Sequence, residues 1–173
     1  VIPHILSVDL KKRKKSSSKF VFPNICPSCG SKTIKELNST TKKTDAVRRC
    51  SSQSYFCDKI SIEKLKHFVS KEAFNIDGFG KKIVENFWNL KLIKYPQDIF
   101  KLDYRKIEKL EGWGSLSVQN LKYSINQKKT ISFERFIFSL GIRHIGLENA
   151  KILSKYFGTF LKFKDLSKKN DFN

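Results

Sequence analysis

The sequence predicts a mainly α-helical protein with a small four-cysteine module at its front, on three observations. From Ser61 onward, apolar residues recur at helical spacing with short breaks and no sustained β alternation. Within that region a Gly–apolar–Gly signature repeats, its last glycines Gly80, Gly114 and Gly146 standing 34 and 32 residues apart. All four cysteines fall between Pro23 and Lys59, a stretch too poor in large apolar residues to build a core unaided.

Three zones follow in order. Residues 1–22 open with "VIPHILSVDL", which reads as a strand or strand end with Pro3 at an edge or bend. They continue into "KKRKKSSSK", either a basic localisation-type cluster or a solvated linker, the serines favouring the linker. Residues 23–60 form the cysteine module. Residues 61–173 form the helical domain, with Ser61 expected to cap its first helix and Glu63 in the first turn. Its expected apolar faces are Ile62, Leu65 and Phe68/Val69; Ile83, Phe87 and Leu90; Leu121 and Ile125; Phe133, Phe136, Ile137 and Leu140; then Leu147, Ile152, Leu153, Tyr156 and Phe157.

The chain of 173 residues carries 35 Lys plus Arg against 16 Asp plus Glu, a formal charge of +19. Such an excess attracts polyanions, nucleic acid first and an anionic membrane surface second, although coding-sequence bias toward Lys also contributes. A membrane-surface helix would need an exposed apolar face, and these helices spend theirs on a core. No run of about 20 apolar residues spans a bilayer, and no signal-peptide pattern opens the chain. With no methionine and Val1 at its head, the sequence reads as an excerpt of a longer protein.

Cys26 and Cys29 form "CPSCG", with Cys50 and Cys57 completing a C-x2-C, twenty-residue, C-x6-C arrangement. The Pro and Gly shape a tight knuckle, and four thiolates suit a closed, tetrahedral, structural zinc site. Disulfides would need an oxidising compartment, a thioredoxin-type pair a βαβ setting, and an iron–sulfur cluster a different spacing. His67 is a spare candidate ligand, more at home on a helix surface.

The repeats "NIDGFGKKIV", "KLEGWGSLSV" and "IRHIGLENA" imply one unit used three times. A helix ends, a glycine (Gly78, Gly112) takes positive φ, and an apolar residue (Phe79, Trp113, Ile145) turns inward as a pin. A second helix then starts at Gly80, Gly114 or Gly146, leaving bare N–H groups that bind an anion. A small or β-branched residue one turn later, Val84, Val118 or Ala150, lets helices approach. The third copy has His144 where the first glycine would stand. A P-loop needs Gly-Lys-Ser/Thr and a Rossmann turn needs a preceding strand and third glycine, and neither is present. One phosphate per loop on a basic chain suits a polymer of phosphates. Trp113 could stack on a base, but its position makes it a core pin.

The repeat resembles the helix-hairpin-helix motif of DNA repair and replication proteins. The order "VIP", "CPSCG…RRC", "HFVSKEAFNIDGFG" and "FSLGIRHIGLENAKILSKYFG" resembles the C-terminal part of bacterial NAD-dependent DNA ligases, from Val1 to about Phe160. That resemblance implies the tail of an oligonucleotide-binding β-barrel, a four-cysteine zinc β-ribbon (Cys26, Cys29, Cys50, Cys57) and an incomplete helix-hairpin-helix domain. It implies a monomeric, cytoplasmic bacterial protein gripping duplex DNA at nicks during replication and repair, joined to adenylation and barrel domains in its parent. The DNA-binding residues expected are Gly78, Gly80, Lys81, Lys82, Gly112, Gly114, Ser115, Arg143 and Gly146. The family's Lys-x-Asp-Gly nucleophile motif has no match, since "NIDG" has Asn75 at the lysine position. No catalytic residue is therefore expected here, and NAD and Mg2+ belong only to the full-length ligase. The loop from Cys29 to Cys50 is longer than usual in the family, and a fourth hairpin and a BRCT domain have no counterpart. The competing reading is a free-standing zinc/helix-hairpin-helix accessory protein of recombination or repair, although such proteins place the hairpin ahead of the zinc.

Overall fold

The computed structural model describes residues 3–37, 41–53 and 55–168, the last three by backbone alone. The chain divides into two compact units, one through Ser51 and one from Ser52.

The first unit is held by local hydrogen bonds. Strand β1 (Thr33–Ile34) pairs antiparallel with β2 (Arg49–Cys50), Thr33 opposite Cys50 and Ile34 opposite Arg49. Isolated bridges at Ile25–Lys32 and Leu37–Thr44 extend the ribbon. The Thr33 hydroxyl donates to the Pro23 carbonyl at 2.7 Å, and Arg48 donates to the Thr33 carbonyl at 3.2 Å. Among the described residues of this unit only Cys26 is buried. Two strands of two residues cannot stand without another stabiliser.

The expected strand at the front is not formed among the described residues. Residues 3–24 make no strand pairing, and Leu6 is 90% exposed. A strand exists by virtue of a ladder to a neighbour, and here the backbone instead makes a short 3-10 turn at Leu10–Lys12, where Asp9 accepts the Lys11 N–H at 3.0 Å. Val1 and Ile2, the start of that expected strand, lie outside the described residues.

The second unit is mainly helical. Its helices are α1 (Asp58–Val69), α2 (Lys81–Asn89), α3 (Tyr104–Glu108), α4 (Ser115–Gln127), α5 (Phe133–Ser139), α6 (Leu147–Phe157) and α7 (Phe160–Lys168). A 3-10 helix at Pro96–Lys101 precedes α3. α1 starts three residues before the expected Ser61 cap. Ser61 is buried inside the first turn and its hydroxyl donates back to the Cys57 carbonyl at 2.9 Å. On α2 the buried face is Val84, Phe87 and Trp88, an i, i+3, i+4 stripe, and on α4 it is Val118, Leu121 and Ile125. These join Leu65, Phe68, Phe79, Ile99 and Ile107 in one core. Lys66 on α1 bonds both Glu63 at 2.8 Å and Glu85 on α2 at 2.6 Å. The Lys66 hydrogen bond holds the Glu85 carboxyl below its ordinary range. Arg135 on α5 donates to the Ala73 carbonyl at 2.8 Å and also to the Lys71 carbonyl, fastening α5 to the turn ahead of α2.

Four apolar expectations fail at helix ends and on α6. Leu90 caps the C-terminus of α2 and is 45% exposed, while Leu140 sits beyond the last turn of α5. Ile152 and Tyr156 point outward from α6, whose buried residue is Ala150. A helix of eleven residues shows its core through one side, and here the small residue holds that side.

Lys91 takes left-handed φ of 57° just after α2, while the Leu92 N–H bonds the Phe87 carbonyl at 2.9 Å. This is the Schellman arrangement, where glycine is the unstrained residue. Lys91→Gly should therefore raise stability by about 1 kcal/mol; urea unfolding of the two proteins checks it, and an unchanged midpoint would contradict the assignment.

Candidate nucleic-acid interface and metal centre

The three glycine repeats fold into three copies of one backbone. In each, the inward apolar residue donates its N–H to the carbonyl three residues back: Phe79 to Ile76, Trp113 to Leu110 and Ile145 to Ile142, all at 3.1 Å. Two residues before each helix cap the chain takes positive φ, at Gly78 (77°), Gly112 (80°) and His144 (65°). His144 thus supplies the left-handed turn that the other copies make with glycine. Asn149 Nδ2 donates to the His144 carbonyl at 2.9 Å, helping to hold that strained turn.

Gly80, Gly114 and Gly146 are the N-caps of α2, α4 and α6, and no side chain caps any of the three. The helix-closing bonds repeat too: Val84 to Gly80 at 3.1 Å, Val118 to Gly114 at 3.0 Å and Ala150 to Gly146 at 2.9 Å. At all three caps φ is negative and a Cβ would meet nothing within 4 Å. Neither strain nor internal crowding explains these glycines. A cap open to solvent, with uncapped N–H donors and the positive end of a helix dipole, accepts an anion that comes close to the backbone.

Of the other residues expected at this interface, Lys81 and Lys82 open α2 and Ser115 opens α4, all three exposed. Arg143 is exposed beside His144 in the third turn. Phe79 is 2% exposed, and Trp113 packs its ring 5.5 Å from that of Phe87, tilted by 38°. Trp113 is a core pin, as its position implied. A groove of about 540 Å3 runs between the first two hairpins, edged by Gly78, Gly112 and the polar face Ser117, Asn120 and Ser124 of α4. Those three polar residues escaped the sequence reading, although their spacing of three and four carried the signal.

The ligand atoms of Cys26, Cys29, Cys50 and Cys57 all lie within 4.8 Å of one another. Gly30 takes φ of 72° and its N–H bonds the Cys26 carbonyl at 2.9 Å, closing the knuckle. The β1–β2 register brings Cys50 to Cys29, with sulfurs 3.4 Å apart, and Cys57 is the N-cap residue of α1. That separation excludes a disulfide, whose sulfurs sit at about 2.05 Å. It approaches the edge of about 3.8 Å that four thiolates make around a tetrahedral ion with metal–sulfur bonds near 2.3 Å. The Ser31 hydroxyl, then its backbone, hold the Cys29 thiol down at about 6, so it is a thiolate at neutral pH. His67 is elsewhere: its Nε2 lies 2.7 Å from the Phe138 carbonyl. The donor set fits a metal that prefers soft sulfur ligands. No helix among the described residues is long and apolar enough to cross a membrane.

Comparison with known proteins agrees with this picture. No family model matches the chain. It is 70% identical over 167 residues to a DNA ligase of Pelagibacter ubique, covering 96% of this chain and 25% of that protein. DNA ligases of Azorhizobium caulinodans and Parvibaculum lavamentivorans are 44% and 43% identical over 171 residues, covering 95% of this chain and 23% and 24% of theirs. Over at least 95% of its length the chain is therefore similar to part of the bacterial DNA ligases, and it spans about a quarter of the length of the relatives it matches.

Proposed function

We propose that this chain is the duplex-gripping, C-terminal part of a NAD-dependent DNA ligase. It binds backbone without reading sequence, around nicks in replication and repair. The observation that carries the reading is the threefold hairpin, each copy offering an uncapped, open, glycine-started helix on a chain of net charge +19. Gly78, Gly80, Gly112, Gly114 and Gly146 let backbone N–H groups approach phosphates, and Lys81, Lys82, Ser115 and Arg143 add side-chain partners. The four cysteines hold a structural zinc ion. Adenylation with NAD and Mg2+ falls to other domains of the parent, since no Lys-x-Asp-Gly occurs here. The protein works as a monomer in the bacterial cytoplasm.

Duplex binding should weaken linearly in log–log form as salt rises, by about 0.9 per phosphate neutralised. Three hairpins with one phosphate each give a slope of about −2.7, steeper with the flanking lysines. Fluorescence anisotropy of a labelled 20-mer from 50 to 300 mM salt reads it, and a flat profile rules backbone binding out. Gly80→Val should lower duplex affinity on the order of tenfold. It should cost less than about 1 kcal/mol of stability, because the cap has ordinary φ and open space. Unfolding of that variant would make Gly80 purely structural.

A further inference from the structure

Beside the third hairpin, within the helical unit, lies an open cleft of about 860 Å3 that the backbone grip leaves unused. Its floor is aromatic, built on Phe68, Phe74 and Phe100, with Phe68 and Phe74 stacked at 4.1 Å. One wall is Ile142 and Ile145, which belong to the third hairpin turn itself. The opposite wall is a pair of tyrosines. Tyr55 and Tyr95 meet edge to face at 5.0 Å, and Tyr55 is held at left-handed φ of 65°. Strained backbone that presents an aromatic side chain to a cleft is a feature of binding sites rather than of cores.

The charged residues lining this cleft are mainly basic. Lys59 and Lys64 line it, Lys64 Nζ sits 5.4 Å above the Tyr55 ring, and Lys94 Nζ sits 5.5 Å from the Tyr95 ring. The lone carboxylate in the lining, Glu63, is already bonded to Lys66 at 2.8 Å. An apolar floor wants a flat hydrophobic body, tyrosine edges suit a π-face, and a lysine rim wants negative charge. A purely apolar partner helix would set an uncharged surface against the exposed Lys59 ammonium and desolvate it. An unpaired nucleotide satisfies all three demands, because every base offers a π-face and its phosphate follows at fixed distance.

We propose that the Tyr55–Tyr95 cleft holds an unpaired nucleotide of a DNA strand whose backbone is gripped at the neighbouring third hairpin. The base stacks against the tyrosines and its phosphate is met by Lys59 and Lys64. The inference rests on the reading of this chain as a DNA-binding protein, and it adds a site for single-stranded or frayed ends to one for duplex.

The test uses the 173-residue chain and a single-stranded hexadeoxynucleotide containing 2-aminopurine, whose fluorescence falls on stacking. Binding should quench the probe, Tyr95→Ala should weaken it about tenfold, and Tyr95→Phe should restore it. Lys59→Glu, an exposed change that leaves the fold alone, should weaken it by a similar factor. Hexamer binding unchanged by both Tyr95→Ala and Lys59→Glu overturns the proposal. So does thymidine monophosphate displacing the hexamer at equal nucleotide concentration, which would make the cleft a free-nucleotide site. A parallel duplex titration separates the two readings: unchanged duplex binding by Tyr95→Ala beside a lost hexamer signal supports this site, whereas absence of salt-dependent duplex binding by the wild-type chain sinks the earlier reading instead.

Discussion

Phe87→Ala should destabilise the helical unit by about 3–5 kcal/mol, within the range for emptying a buried phenylalanine site. Its side chain is fully buried on α2. The Phe79 ring meets it edge-on at 5.5 Å and the Trp113 ring tilts against it at 5.5 Å. Those two are the inward pins of the first and second hairpins, so one side chain is the anvil for both. Removing it leaves a cavity bounded by two turns that can each slide, and the two N-caps Gly80 and Gly114 lose their common reference. With total stability of small domains at about 5–15 kcal/mol, the loss is a large share. Thermal unfolding should fall by roughly 10–20 °C, and duplex affinity should drop further than with Gly80→Val, which disturbs one cap alone. Leu116→Ala, on the outer side of α4 and 69% exposed, is the control and should shift stability by less than about 0.5 kcal/mol. A Phe87→Ala protein that melts within a few degrees of the parent would show that the hairpins are pinned separately.

The hairpins were legible because their constraints are local. Positive φ at Gly78 and Gly112, the inward ring between two glycines, and the small residue four positions on follow from short-range geometry that each repeat restates. Reading them three times in register removed the ambiguity that a single Gly-x-Gly carries. His144 shows the limit, since nothing in an imidazole announces a left-handed backbone; the repeat alone placed it there. The cysteine cluster was legible from spacing, yet the ribbon that carries Cys50 to Cys29 was not, as strands of two residues leave no alternation to read. Ser61 misled because a serine ahead of an apolar stripe looks like a cap from either side. Only the bond back to Cys57 reveals that the helix had already begun. Ile152 and Tyr156 misled for the opposite reason: hydrophobicity marks a residue that can be buried, and tertiary packing decides which of them is.

Stripping the metal should unfold residues 23–50 and spare the helices. The first unit has one buried residue among those described, two strands of two residues, and exposed Ile25, Ile34 and Leu37 where a core would be. Apolar burial of that extent cannot offset the entropy of ordering some thirty residues, at about 1–2 kcal/mol each for the backbone. The thiolate cluster is what remains to do it. Structural zinc in small modules supplies about 10–16 kcal/mol at neutral pH, which makes binding and folding one event. The chain as purified should carry about one zinc ion by elemental analysis. A strong chelator should open residues 23–50 to proteolysis within minutes, while α2–α4 stay protected by the core around Phe87. Cys26→Ser should do the same without chelator, because Cys26 supplies one of the two buried thiols of the cluster. Acid should release the metal as well, since protons compete for the sulfurs. Should chelation leave the cleavage pattern of residues 23–50 untouched, the ribbon is held by contacts other than a metal, and the four gathered thiols would need a different explanation.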